Sequence, residues 1–244
     1  MYAVLGGIYG ALLSVMNLFN AQLSAVYGNW GSTVMIHAVG LLVLLPLAFT
    51  WGRPKGHAPW YLYGGGLIGI VTVTCCNLAI GGIGVTANLV IMLLGQLTCS
   101  TLIDQFGLFG ARQVKLSAAR LVSLLVIAAG DLVMLLWAGS SAGEGNTSAL
   151  LAVLTSFLSG FSMVFARISN ARLAEKSGLG FSTVMNYVTG LAGSFLIFAC
   201  MGLRLETAFP APGQSITIYL GGAMGALALF LCNMVTPKLY TLQF

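Results

Sequence analysis

The sequence predicts an all-α membrane protein, a polytopic bundle of about eight transmembrane helices built as inverted five-helix repeats. Three observations lead there. Of 244 residues, 58% are hydrophobic and only 6% are charged, whereas a soluble domain carries about 25% charged residues. Two phrases, NAQLSAVYGNWGSTVMIHAVG at 20–40 and NARLAEKSGLGFSTVMNYVTG at 170–190, agree at nine of 21 positions with a constant offset of 150. The few basic residues sort to alternate connections of the helical pattern.

The spans come first. A membrane helix needs about 20 mostly apolar residues. Eight such stretches are expected, at about 3–22, 33–51, 60–80, 85–104, 117–138, 149–169, 181–203 and 215–236. The chain has 32 glycines, nearly twice the usual share of about 7%, and small residues let membrane helices approach closely. Cys75, Cys76, Cys99, Cys200 and Cys232 all sit in apolar runs without metal-ligand spacing. They read as small buried hydrophobes, so no metal, cofactor or disulfide framework is expected. No cleavable signal pattern precedes the first apolar run, so the first span is expected to act as its own insertion signal.

Charge then sets orientation. Arg53, Lys55, Arg112, Lys115, Arg120, Arg167, Arg172, Lys176 and Lys238 fall on the side that also holds the N-terminus, and only Arg204 falls on the other. The positive-inside rule makes the nine-residue side cytoplasmic. A net charge of +5 carried in such short connections gives no reason to expect a nucleic-acid partner.

A second pair of segments extends the repeat. GGGLIGIVTVTCCN at 64–77 matches GGAMGALALFLCN at 221–233 with an offset of 156, aligning Gly65/Gly221, Gly66/Gly222, Gly69/Gly225, Cys76/Cys232 and Asn77/Asn233. Spans 1 to 3 therefore correspond to spans 6 to 8. A unit of five spans is odd, so the second copy enters the membrane from the opposite face, an arrangement common among transporters. The domains expected are 1–140, a first five-helix repeat, and 141–244, an inverted second repeat with its first three helices. A ten-helix parent is expected, with an eight-span chain as the alternative. The charges fit the inversion: the neutral phrase after span 1 becomes basic after span 6, where Arg172 and Lys176 replace Gln22 and Val26.

Polar groups inside the bilayer are costly and are functional candidates by default. In span 4, Asn88, Met92, Gln96, Ser100 and Asp104 recur every four residues, a spiral about 24 Å long at helical rise. It reads either as a water-filled path or as hydrogen bonding between helices. Asp104 sits beside Arg112, which suits a paired or solvated helix end. Span 1 carries Gly6, Gly10, Ser14 and Asn17 on one face, with the glycines read as packing. The solute-path candidates are Asn17, Asn20, Gln96, Ser100, Asn170 and Asn186. Asn77 and Asn233 are expected to end their helices. The ionisable groups inside spans, His37 and Asp131, together with Asp104, are candidates for ion coupling or for structural hydrogen bonds. GSSAG at 139–143 fits the G-x-S-x-G hydrolase pattern but follows a membrane helix without a visible His–Asp pair, so no enzyme is expected.

GQLTCSTLIDQFGLFG at 95–110 resembles the G-Q-L…L-I-D-H-F-G-L-F-G signature of the YdcZ-like, EamA-like branch of the drug/metabolite transporter superfamily. NAQL and NARL after spans 1 and 6 resemble the same branch's first-helix motif. The resemblance implies a bacterial inner-membrane protein that moves small molecules, often outward. It also implies a cavity lined by the first four helices of each half, with the fifth peripheral. It carries over Asn20, Gln96 and Asp104 as motif positions. Gln105 departs from the family His, and Met16 and Ala166 stand where a Gln is expected. The first-helix Glu that small multidrug members use for protons is absent, which points away from proton-driven export of cationic drugs.

The resulting expectation is a secondary transporter of small organic solutes that works by alternating access. Its amide and hydroxyl lining favours a neutral or zwitterionic solute. Its expected partners are the lipid bilayer and a small-molecule substrate, with a homodimer left open. The alternative is a non-transporting scaffold or subunit on a vestigial transporter fold.

Overall fold

The computed structural model describes residues 2–48, 56–110, 113–137, 148–202 and 209–242. Arg53, Lys55, Arg112, Glu144, Arg204, Glu206 and the GSSAG string lie outside the described residues. The α-helices are α1 (Tyr2–Ala48), α2 (Gly65–Phe106), α3 (Ala118–Trp137), α4 (Ala149–Ser177), α5 (Leu179–Cys200) and α6 (Leu220–Leu242). Short 3-10 turns at Trp60–Gly64 and Ile216–Tyr219 lead into α2 and α6. They match at the same offset of 156 as the helices that they open.

Two of these helices are too long for one crossing. A straight α1 of 47 residues would run about 70 Å, over twice the hydrocarbon thickness of about 30 Å. It is broken at Gly28, with φ 70° and ψ 172°. The equivalent break in α2 is Gly84, with φ 78° and ψ 170°. That backbone region is essentially restricted to glycine. Gly178, the repeat partner of Gly28, has φ 100° and separates α4 from α5. Among the described residues, five helical stretches are long and apolar enough to cross a membrane: Gly7–Pro46, Trp60–Phe106, Ala149–Ser177, Leu179–Cys200 and Ile216–Met234. The first two contain the breaks at Gly28 and Gly84.

The corners correct the expected connections. Where the sequence reading put loops at 23–32 and 170–180, helix runs up to a single glycine on each side. Helix carried up to the corner keeps the backbone N–H and C=O groups paired, so a single residue turns the chain. Asn77 and Asn233 do not end their helices, because α2 and α6 continue beyond them. Both are buried inside their helices instead.

Side chains are distributed inside out. Leu42, Val126 and Leu150 are 64%, 65% and 70% exposed, whereas Ser32, Thr33, Asn88, Ser156, Ser159, Ser182 and Thr183 are fully buried. Polar residues mediate helix contacts and apolar ones face lipid, as membrane packing requires. Trp60 and Tyr61 stand exposed at the start of α2, suited to an interfacial aromatic anchor.

The chain forms two compact units. One comprises residues 1–70 with 166–244, and the other comprises 71–165. In the first, α1 packs on α5 and α6, and α5 on α6, with Leu44, Tyr187 and Ala226 at the heart of the apolar packing. In the second, the start of α4 lies backbone to backbone on α2. A Cβ at Gly95 would overlap the Phe157 carbonyl, and one at Gly160 would overlap the Met92 carbonyl.

Candidate solute-binding site

The first unit is built from contacts that occur twice. A Cβ on Gly221 would overlap the Asn20 amide oxygen, and one on Gly65 would overlap the Asn170 amide oxygen. Gly222 abuts the backbone of Ile36 and Gly40, and Gly66 abuts the backbone of Asn186 and Gly190. Gly40 abuts the Tyr187 ring, and Gly190 abuts the His37 ring. In each pair the first copy's residue meets the second copy's partner, and the converse contact is also present. Such reciprocity is the mark of a two-fold relation. Local bonds repeat too: Thr33 Oγ1 donates to the Asn29 carbonyl at 2.7 Å and Thr183 Oγ1 to the Leu179 carbonyl at 2.9 Å.

Five of the nine candidates fall in this unit. Asn17, Asn20, His37 and Asn170 are buried, and Asn186 is half-buried. Asn170 Nδ2 donates to Asn186 Oδ1 at 2.8 Å, and the Ser182 hydroxyl donates to the Asn170 carbonyl at 2.6 Å. The first copy cannot form the amide pair, since Ile36 stands where the second has Asn186. Among the described residues, the side-chain oxygens of Asn20 and Asn170 have no hydrogen-bond partner. Two buried acceptors without donors are expensive in a low-dielectric interior, and they occupy equivalent positions. His37 Nδ1 lies 2.8 Å from the Thr33 carbonyl. A carbonyl only accepts, so Nδ1 carries the proton and Nε2 is left as the acceptor. The His37 and Tyr187 rings lie 5.8 Å apart.

The other four candidates fall in the second unit. Asn88 Nδ2 donates to Cys76 Sγ at 3.0 Å, and the Ser156 hydroxyl donates to the Asn88 carbonyl at 2.9 Å. Thr72 and Ser162 share a 2.7 Å hydroxyl contact. The upper part of the polar spiral thus faces α4 and binds helices together. Gln96, whose backbone nitrogen meets Gly160, and Ser100 are half-buried. Asp104 pairs with Arg120 at 2.9 Å, and its carbonyl accepts the Val114 N–H at 2.9 Å. Gln105 serves the same turn: its Oε1 accepts the Leu116 N–H at 2.5 Å. Asp131 is 4% exposed, and among the described residues neither carboxyl oxygen has a hydrogen-bond partner.

One polar residue of the first unit escaped the sequence reading. Arg167 was counted as a charge at the end of span 6, but α4 continues for ten residues beyond it, to Ser177. Its guanidinium donates to the Tyr9 hydroxyl at 2.6 Å and lies 5.2 Å above the Tyr9 ring centre. The offset of 150 pairs Arg167 with the buried Asn17, a signal available from sequence by extending the repeat three residues upstream. Of the two glycines read as packing on span 1, Gly10 is corrected. A Cβ on Gly10 would meet nothing within 4 Å, so Gly10 is not a close-packing position. Among the described residues, no group of three His, Cys, Asp or Glu could hold a metal.

Residues 1–133 and 151–244 match the model of a family described as "Putative inner membrane exporter, YdcZ". No curated protein matches the chain significantly, and no solved structure does.

Proposed function

Because the chain belongs to the YdcZ branch of the drug/metabolite transporter superfamily, we propose that it exports small polar organic solutes across the inner membrane by alternating access of two inverted repeats. In this reading the glycine corners divide α1 and α2, so that eight crossings result. The N-terminus is cytoplasmic because nine of ten basic residues share its side. The repeat unit of five spans places the copies in opposite orientations. The buried amides of Asn17, Asn20 and Asn170 and the half-buried amide of Asn186 receive the polar body of the solute.

The observation that carries this reading is the reciprocal packing of Asn20 on Gly221 and Asn170 on Gly65. Two near-equivalent half-sites can exchange roles when the assembly rocks. A solute path lined by both then opens to each side in turn.

Flux of a metabolite panel into proteoliposomes holding the whole chain tests it. At least one polar organic solute crosses faster than through empty liposomes. Asn17→Ala slows that flux by about tenfold, the scale of one lost buried hydrogen bond, whereas Asp104→Asn leaves it nearly unchanged. Absence of flux for every solute would favour the scaffold alternative.

A further inference from the structure

We propose that Asp131 carries a proton that is exchanged for the solute in each transport cycle. The inference rests on the transport reading above and names its coupling ion.

The way α3 is buried is the first argument. Its 20 residues make a helix about 30 Å long, the thickness of the hydrocarbon layer. Arg120, Leu124, Ile127, Ala128, Asp131 and Met134 form a stripe at spacings of three and four that turns away from the surface. Leu125, Val126, Leu132 and Val133 face outward. Among the described residues of α3, Asp131 alone is buried, at 4% exposure. Packing would be served by putting a leucine there. The helix instead hides its one acid and exposes its aliphatic side chains. Asp131 stands six residues before Trp137, about 9 Å inside that end, so it is within the crossing.

The absence of a counter-charge is the second argument. Among the described residues, neither carboxyl oxygen of Asp131 has a hydrogen-bond partner. From Val71 to Ile103 on α2 and from Ala149 to Phe165 on α4 there is no Asp, Glu, His, Lys, Arg or Tyr. The titratable side chains there are the thiols of Cys75, Cys76 and Cys99, which supply no positive charge. On α3 itself Arg120 lies eleven residues away, about 16 Å along the axis, and is paired with Asp104. Lys115 belongs to that same end of the helix. A charged carboxylate in hydrocarbon without a partner is costly, and intramembrane acids mark ion or proton paths. A metal ion needs several oxygen ligands, and Asp131 brings a single carboxyl. A proton needs nothing more, and it removes the charge.

The packing of Asp131 therefore suits the neutral acid. Ionisation requires water to reach the carboxyl, so the proton leaves only in a conformation that opens this face of α3. Binding and release are thereby tied to the conformational cycle. The end of α3 that carries Arg120 is read as cytoplasmic, which places Asp131 nearer the outer surface. The proton comes from water outside and passes to water inside. One positive charge enters as one neutral solute leaves.

Solute accumulation under a pH gradient tests it. Labelled sugars and zwitterionic amino acids are screened for counterflow in proteoliposomes holding the whole chain. A solute that passes is then offered to vesicles with an acidic interior, with valinomycin and equal potassium holding the membrane potential at zero. Wild type accumulates the label severalfold, toward a limit of about tenfold per pH unit for one proton per solute. A protonophore abolishes the accumulation. Asp131→Asn keeps the shape and loses the acid, so it fails to accumulate label under the gradient. It retains counterflow at uniform pH, which shows that the variant is folded. Asp131→Glu keeps the acid and part of the response. A gradient response that survives in Asp131→Asn would overturn the proton site and leave the transport reading standing. So would a wild type indifferent to the gradient, or one that accumulates label only with an alkaline interior. Counterflow for no solute would overturn both.

Discussion

The rings of His37 and Tyr187 lie 5.8 Å apart at an angle of 57°, and the two residues occupy equivalent positions 150 apart in the repeat. Two equivalent positions can touch only where the relating axis passes between them. The flanking contacts, Tyr187 on Gly40 and His37 on Gly190, obey the same rule. In the proposed two-fold relation of the copies, this pair lies on the axis and is the proposed pivot.

Filling the pivot destabilises the protein. Gly40→Ala and Gly190→Ala would each force a methyl into an aromatic ring. Each should lower stability by about 1–3 kcal/mol, read as a drop in Tm in detergent. Gly69→Ala, whose Cβ meets nothing within 4 Å, should leave Tm nearly unchanged.

The corner at Gly28 depends on conformation rather than space. Its Cβ would meet nothing within 4 Å, yet its φ is +70°. Gly28→Ala should cost about 1–3 kcal/mol of backbone strain. Gly10→Ala, in open helix, should be neutral or stabilise by up to about 1 kcal/mol. Thermal unfolding of the two variants side by side checks the contrast.

Beside the Gly28 break of α1, the hydroxyls of Tyr27 and Tyr219 lie 2.5 Å apart, and Tyr219 Oη also accepts the Ala211 N–H at 3.1 Å. Tyr27→Phe removes the contact between the two hydroxyls and a link to the Ala211 backbone, and should cost about 1–3 kcal/mol. Tyr219→Phe removes the same hydroxyl contact and its own bond from the Ala211 N–H, so its loss should be similar. A Tm unchanged in both variants would contradict the network.

The Asp104–Arg120 pair is partly solvated, with side-chain exposures of 19% and 34%. A double-mutant cycle with Asp104→Asn and Arg120→Gln should give a coupling of only about 0.2–1 kcal/mol. The coupling should weaken as salt is raised.

Much of this architecture is legible in the sequence, because membrane helices announce themselves by unbroken apolar length and a repeat announces itself by offset. The starts of α2, α4 and α6 fall within a few residues of where the apolar runs place them. The corners were not legible. Gly28, Gly10 and Gly40 are the same residue in similar surroundings, and only the backbone tells a turn from an open face or a close contact. The polar spiral from Asn88 to Asp104 had the spacing of a path. Whether such a stripe meets water or a neighbouring helix depends on Ser156 and Gly160, about 70 positions away. Arg167 reads as the close of an apolar run by composition, and only the repeat pairs it with the buried Asn17.

Solute counterflow in proteoliposomes tests the central claim most directly. Vesicles holding the whole chain are preloaded with a high concentration of a solute that they transport. They are then diluted into a trace of the same labelled solute. An alternating-access carrier of polar organic solutes should accumulate label transiently above its outside concentration. Gly190→Ala, which jams the pivot, should abolish the overshoot in folded protein. Label that never exceeds the outside concentration, for any transported solute, would contradict the account.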